Sequence, residues 1–413
     1  MAAAFCLIVP AYASAAASYV FEPTLSLTGN CATSVKLDSV PDPGTCPIPP
    51  GTVFSGSPGA DHPSTRFEAP SVAIDSYGDI YVASMLESKG RIDVFAPDGT
   101  FITEFADPAG PQSIAVDAKG NVYLFERISG GARQIRRFPP KIYKPEEGEI
   151  EYGEEPILLA SNLTKPVISM DATTSLAIEP SSQRLYVDTA HVVAVFGSVA
   201  EENSLLEPES IALQTSASIA IDAKHKRIYV SDTVPITLKS MVRIFELEAP
   251  HNEVGKNTGS TTPKGEFLSG EGNLQIDVDE ETGHLFVGDI AGANKVYEFD
   301  ESGAYLATIE HSFEVAVGPG GVPGEIAVDN GPKSPHRAWL FVPSVASPSA
   351  GHVYAFEPSE ECAAEVESAA ASDITETEAT LQATINPCGL ETTYRFEYVS
   401  QQQFEAEEGK SFE

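Results

Sequence analysis

The sequence predicts an all-β chain, a six-bladed β-propeller followed by an incomplete β-sandwich segment, and three observations predict it. An apolar-alternating run that ends in an acid, crosses a polar turn and re-enters as a second apolar run recurs six times. After each recurrence comes a third element with a β-branched residue three places before a phenylalanine. Glycine (32) and proline (31) are spread through all 413 residues, as many short strands joined by tight turns require.

The recurrences begin at Ser71, Ser113, Ser175, Ser218, Leu274 and Glu325. Alternation with period two belongs to strands, whose side chains switch faces at every residue. The acids closing the first runs are Asp75, Asp117, Glu179, Asp222, Asp279 and Asp329. An acid opening a hairpin turn accepts bonds from the turn N–H groups, and Gly78 and Gly120 supply positive φ in two of these turns. The six acids therefore read as turn caps rather than a metal array. The third elements end at Phe95, Phe138, Phe196, Phe245, Phe299 and Phe356, and weaker fourth runs follow, as at 101–105 and 305–309. Four short strands in about 40–50 residues describe one blade.

These units, an Ala-apolar-Asp run, a turn often containing glycine, Tyr-Val and then Val-x-x-Phe, resemble NHL-type six-bladed propellers over residues 53–358. The resemblance implies the fold and leaves the activity open, since related propellers include protein-binding, RNA-binding and enzymatic members. After Phe356 no clear fourth strand appears, whereas apolar stretches at 19–22 and 24–27 have nothing local to pair with. The N-terminal segment is expected to supply the outer strand of the last blade, removing an exposed sheet edge.

Residues 1–17 read as a signal peptide: an apolar run at 2–9 precedes small residues with Ala11, Ala13 and Ala15 at cleavage spacing, although a basic leader is missing. Cys6 leaves with that segment, so four cysteines remain, Cys31, Cys46, Cys362 and Cys388. An even count in an exported chain fits disulfides, and proximity favours Cys31–Cys46 and Cys362–Cys388 among three connectivities. Four buried thiols are the alternative. Residues 18–52 are thus a closing strand with a disulfide loop, and the expected location is extracellular or the cell surface. Asn162 opens a formal glycosylation acceptor.

The composition shifts near residue 359. Residues 357–413 hold fourteen acids against two bases, which marks a boundary. Two alternating runs at 379–385 and 394–399 flank an Asn-Pro-Cys-Gly turn and look like the B and C strands of a fibronectin-type-III-like sandwich. Such a domain takes about 100 residues, so 359–413 read as a partial one.

The net charge of −35 excludes nucleic acid as a partner, because binding it needs clustered Lys and Arg. An anionic membrane surface is disfavoured likewise. No apolar run approaches the roughly 18 residues of a spanning helix, so no membrane span is expected, and the chain is expected to be a monomer.

The chemistry-bearing motifs of nucleotide, metalloprotease and serine-hydrolase sites are missing from the sequence, and no catalytic or cofactor-binding residue is assigned. The eight histidines are scattered, and only Glu281 with His284 offers an acid–base pairing, in a turn away from the usual propeller site. The second strands end at Ser84, Glu126, Asp188, Asp232, Asp289 and Ser344. Four carboxylates on one rim (Glu126, Asp188, Asp232, Asp289) suit a hard cation such as Ca²⁺; the same acids equally solvate loop ends. Two insertions, after Phe138 and over 248–265, are places where binding sits on a rigid scaffold. The expected function is that of an exported, non-catalytic propeller scaffold binding a protein or glycan partner through one rim. The alternative is a metal-dependent propeller enzyme, lactonase-like through Glu126, Asp232 and Asp289, or lyase-like. The related streptogramin lyases place His and Glu on that rim, and this chain has no His at the aligned positions.

Overall fold

A computed structural model of the chain describes residues 19–21, 27–30 and most of 71–386; within the last span it leaves out short connecting segments, the longest being 162–174, 198–204, 268–273, 311–324 and 359–364. The chain divides into two compact units, Tyr19–Pro358 and a second made of Met1–Ser18 with Ser359–Glu413. The signal-peptide reading of 1–17 and the four cysteines Cys31, Cys46, Cys362 and Cys388 fall outside the described residues.

The large unit begins with two short strands, β1 (Tyr19–Phe21) and β2 (Leu27–Asn30). Six sheets follow, and within each the successive strands are hydrogen-bonded side by side in chain order. Blade 1 is β3 (Ser71–Ile74), β4 (Ile80–Leu86), β5 (Lys89–Phe95) and β6 (Phe101–Asp107). Blade 2 begins β7 (Pro111–Val116), β8 (Val122–Arg127), β9 (Arg133–Phe138). A separate hairpin, β10 (Pro140–Lys144) and β11 (Glu149–Tyr152), then intervenes before the outer strand of blade 2, β12 (Ile157–Ser161). Blade 3 is β13 (Leu176–Ile178), β14 (Leu185–Asp188), β15 (Val192–Phe196) and β16 (Leu205–Ala212). Blade 4 is β17 (Ser216–Asp222), β18 (Arg227–Val234), β19 (Lys239–Glu246) and β20 (Glu253–Asn257). Blade 5 is β21 (Gln275–Asp279), β22 (His284–Asp289), β23 (Lys295–Phe299) and β24 (Tyr305–Glu310). Blade 6 has β25 (Ala327–Val328), β26 (Leu340–Ser347) and β27 (Ala350–Pro358), and its outer edge is paired by β1 and β2. Tyr19 lies opposite Pro358 and Leu27 opposite Val353, so the start of the chain covers the edge that β27 otherwise exposes.

Alternation along the strands places apolar side chains on both faces of each blade, and the six apolar clusters lie one at each interface between neighbouring blades. Ile80, Val82 and Phe95 meet Phe341 and Val353 where blade 1 meets blade 6. Tyr81 and Val94 turn the other way, to Val122, Leu124 and Phe138 of blade 2. The pattern continues through blades 2 and 3, 3 and 4, 4 and 5, and 5 and 6. This continuous circuit of buried faces is what makes the ring a six-bladed propeller. Tyr19 adds to the last interface, edge-on to Phe286 at 5.3 Å, with its hydroxyl donating to the Ala338 carbonyl at 3.0 Å. The expected phenylalanines fall at or within two residues of the ends of the third strands, and all but half-buried Phe196 are buried.

In the second unit the described residues form one antiparallel pair, β28 (Glu365–Ser372) with β29 (Thr380–Asn386). The run at 394–399 expected as a third strand lies outside the described residues. No helix among the described residues is long and apolar enough to cross a membrane.

Candidate functional site

The six repeated acids close their turns. Asp75 Oδ1 accepts the N–H groups of Tyr77 (2.8 Å) and Asp79 (3.0 Å), and Asp117 Oδ1 accepts those of Lys119 and Asn121, both at 2.9 Å. Asp222 takes the His225 N–H at 2.8 Å, Asp279 the Glu281 N–H at 2.9 Å and Asp329 the Gly331 N–H at 2.9 Å. Glu179, one methylene longer, is bound instead by the hydroxyls of Ser181 and Ser182. These are local caps.

A second set of repeated residues joins the blades. The Ser71 hydroxyl oxygen accepts the N–H of Ile114, on the innermost strand of the next blade, at 3.3 Å. Ser113 accepts from Leu176 (2.9 Å), Ser175 from Ile219 (3.2 Å) and Ser218 from Ile276 (3.1 Å). The innermost strands enclose a central channel with a cavity of about 180 Å³, walled by Val72, Ile114, Leu176, Ile219, Ile276 and Ile326 among others.

Two carboxylates break the repeat in this channel. Glu325 stands in blade 6 where blades 1 to 4 carry serine, and Asp277 stands in blade 5 where the other five blades carry alanine (Ala73, Ala115, Ala177, Ala220 and Ala327). Burial pushes Glu325 up to about 7, although the hydroxyls of Ser175, Ser71 and Ser113 oppose the rise. The Ser71 hydroxyl donates to its Oε2, while its Oε1 is buried without a hydrogen bond of ordinary geometry. Burial likewise raises Asp277 to about 7, against the N–H groups of Val328 (2.6 Å, to Oδ2) and Val278 (2.9 Å, to Oδ1). A third acid, Glu280, lines the far end, raised by burial to about 7. Its N–H donates to Asn330 Oδ1 at 2.9 Å. None of the described lining side chains is cationic. Asp277 and Glu325 were not among the site residues singled out from the sequence. Aligning the six repeats column by column marks both as departures, and that is the signal that finds them.

The rim carboxylates are dispersed. Glu126, fully buried, binds Arg136 Nε through both oxygens (2.8 and 2.7 Å) and Gln134 Nε2 (2.7 Å), and Arg136 also pairs with buried Asp107. Burial raises Asp107, and the Glu126 charge adds to the rise. Asp188 accepts the Ser216 hydroxyl of the next blade. Asp232 accepts the Gln214 N–H at 2.9 Å and faces Arg243 at 3.3 Å. Asp289 is buried at the end of β22, in register with Lys295. These four acids occupy four different blades. Among the described residues no three His, Cys, Asp or Glu side chains group to hold a metal ion. Ser84 and Ser344, expected to end their strands, lie inside β4 and β26, which run on to Leu86 and Ser347.

Glu281 and His284 do not pair. Glu281 binds Lys224 (2.6 Å) and Arg337 (2.8 Å), whereas His284 Nδ1 lies 2.8 Å from Glu298 Oε1, and this bond raises the imidazole above its usual range.

The insertion after Phe138 is an ordered hairpin. Its inner residues Ile150 and Tyr152 are buried against Tyr81 and Phe138, and the Tyr152 hydroxyl donates to the Gly120 carbonyl at 2.6 Å. The Tyr143 hydroxyl donates to Asp75 Oδ2 at 2.9 Å. The opposite face is exposed and carries Lys141, Ile142, Lys144, Glu147, Glu149 and Glu151 with Lys–Glu pairs among them.

No protein-family model matches the chain, and no curated protein sequence matches it. Among solved structures it is similar to the WD40 domain of Toxoplasma gondii coronin, at 13% identity over 71% of this chain and 82% of that one, with a TM-score of 0.41. It is also similar to the PQQ-bound aldose sugar dehydrogenase of Streptomyces coelicolor, at 14% identity over 70% and 94%, TM-score 0.45. A third likeness is to an inactive virginiamycin B lyase variant from Staphylococcus aureus with quinupristin, at 12% identity over 76% and 92%, TM-score 0.40. Likenesses at this level say nothing of ligand or activity.

Proposed function

We propose that the chain is an exported, non-catalytic propeller that holds a protein partner on the hairpin of β10 and β11. The observation that carries this reading is the hairpin itself. It is the longest insertion into the repeat, its inner face is fixed by Tyr143, Ile150 and Tyr152, and its outer face is left to solvent. A rigid exposed element on a closed scaffold keeps the ordering cost of association low. Its acids, on a chain of net charge −35, favour a partner with a basic surface. The apolar run and small residues at the chain's start support export.

The test is binding of the full chain to arrays of immobilised basic proteins and of glycans, repeated with Glu147, Glu149 and Glu151 changed together to lysine. Exposed substitutions of this kind shift stability within about 0.5 kcal/mol each, so the fold is retained. Retention on a basic protein that falls with salt and disappears in the triple variant supports the reading. Retention on glycans alone, or retention indifferent to the triple variant, refutes it.

A further inference from the structure

We propose that the central channel binds a linear diamine, or the end of a longer polyamine, with one ammonium at Glu325 and the next at Asp277. The ring does not need these acids in order to form. Five blades close with alanine where blade 5 has Asp277, and four close with serine where blade 6 has Glu325. Each acid is enclosed in a channel whose walls are otherwise valine, isoleucine, leucine and alanine with a few small polar groups. An ionised carboxylate in such surroundings calls for a positive charge close by, and none of the described lining side chains supplies one.

The channel also holds an acceptor waiting for a donor. Glu325 Oε1 is buried without a hydrogen bond of ordinary geometry. A ligand that fits must therefore donate hydrogen bonds, carry positive charge and leave its middle apolar.

Spacing selects among cations. In the aligned repeats Glu325 holds the place of Gln275, two residues before Asp277, so the acids stand at levels about 7 Å apart along the channel. That interval suits two charges carried on one molecule. No group of three His, Cys, Asp or Glu side chains is assembled for a metal among the described residues. Two ammonium groups joined by four or five methylenes match both the interval and the apolar wall between, and a cavity of about 180 Å³ admits such a chain. Glu280 at the far end provides a third carboxyl for a longer polyamine.

The experiment is calorimetric titration of the full chain at pH 8 with 1,4-diaminobutane, 1,5-diaminopentane and spermidine, with butylamine, CaCl₂ and NaCl at matched ionic strength as comparisons. The expected result is one diamine per chain, bound at least tenfold more tightly than butylamine. Asp277→Ala and Glu325→Gln should each weaken it at least tenfold. To keep the test independent of how either variant folds, the wild-type chain is also titrated at pH 5, where the carboxyls hold their protons and binding should vanish. Heat that sodium chloride reproduces, one-to-one Ca²⁺ binding that displaces the diamine, undiminished binding at pH 5, or diamine affinity unchanged in folded variants would overturn the proposal.

Discussion

Replacing Asp277 by alanine should invert in its effect on stability between acid and alkaline pH. Burial raises this carboxyl from 3.8 to about 7, roughly three units at about 1.4 kcal/mol each, so its ionised form costs the fold about 4 kcal/mol. Below about pH 4 the carboxyl is protonated in both the folded and the unfolded chain, and that cost is absent. As the pH rises from about 4 to 7 the unfolded chain releases its proton while the folded chain keeps it, and stability drains away. Alanine removes this term. It also removes the acceptor of the Val328 and Val278 N–H groups, a loss of about 1–3 kcal/mol at every pH. The variant is therefore expected to be less stable than wild type by up to about 2 kcal/mol at pH 4.5, where about 1 kcal/mol of the cost has already appeared, and more stable by about 1–3 kcal/mol at pH 8.5. Urea unfolding of the two proteins across that range, in buffer free of amines, reads the difference directly. A stability difference that stays constant with pH refutes the claim that an enclosed carboxyl at this position resists ionisation.

Three further substitutions probe other parts of the ring. Arg136→Met leaves the buried carboxylates of Asp107 and Glu126 facing one another without their shared guanidinium, and a loss of about 3–5 kcal/mol is expected in urea unfolding at pH 8; adding Glu126→Gln should return part of it. Gly120→Ala places a methyl 2.4 Å from the Tyr143 ring at a residue with φ of +74°, costing about 1–3 kcal/mol. Hydrogen exchange should then quicken at Ile150 and Tyr152 and stay unchanged on the inner strands. Ser175→Ala deprives the Ile219 N–H of its acceptor in the next blade, for a loss of about 1–3 kcal/mol in urea unfolding that grows as the pH rises past 7, because the same hydroxyl helps to hold the Glu325 carboxylate.

The blades were legible because each repeats the same physical problem. A strand that buries both faces against neighbours must alternate at apolar positions, and a tight turn after it needs an acid or a glycine. Six copies of SVAID-like text therefore locate six inner strands and the caps beside them. The unpaired apolar stretches before the first repeat pointed to the edge of β27 for the same reason. The rim was harder to read. Glu126 and Asp232 stand near strand ends, where sequence suggests solvent, yet Arg136 and Arg243 reach them from the adjacent strand. Such partners lie ten and eleven residues onward, and only the register of the hairpin shows that they meet. The channel acids are the opposite case, visible in the aligned repeats but drawing no notice because the repeated acids outnumber them. Their environment is invisible in one dimension, since the walls around Glu325 come from every blade.

Glu325 admits two accounts that substitution separates. The last blade is the one that must join the first, its inner strand β25 pairs over two residues only, and Glu325 receives the Ser71 hydroxyl across that junction. A longer side chain there bridges a seam that serine spans elsewhere, and this alone is a reason for its length. Length does not explain charge, however, because glutamine has the same reach and accepts the same hydroxyl without an enclosed ionisable group. Glu325→Gln consequently keeps the seam and removes the charge. If closure is all that the acid does, the variant should match or exceed wild type in stability, and diamine binding should be indifferent to it. A variant that is at least as stable and has lost the diamine assigns the charge to the ligand and the length to the ring.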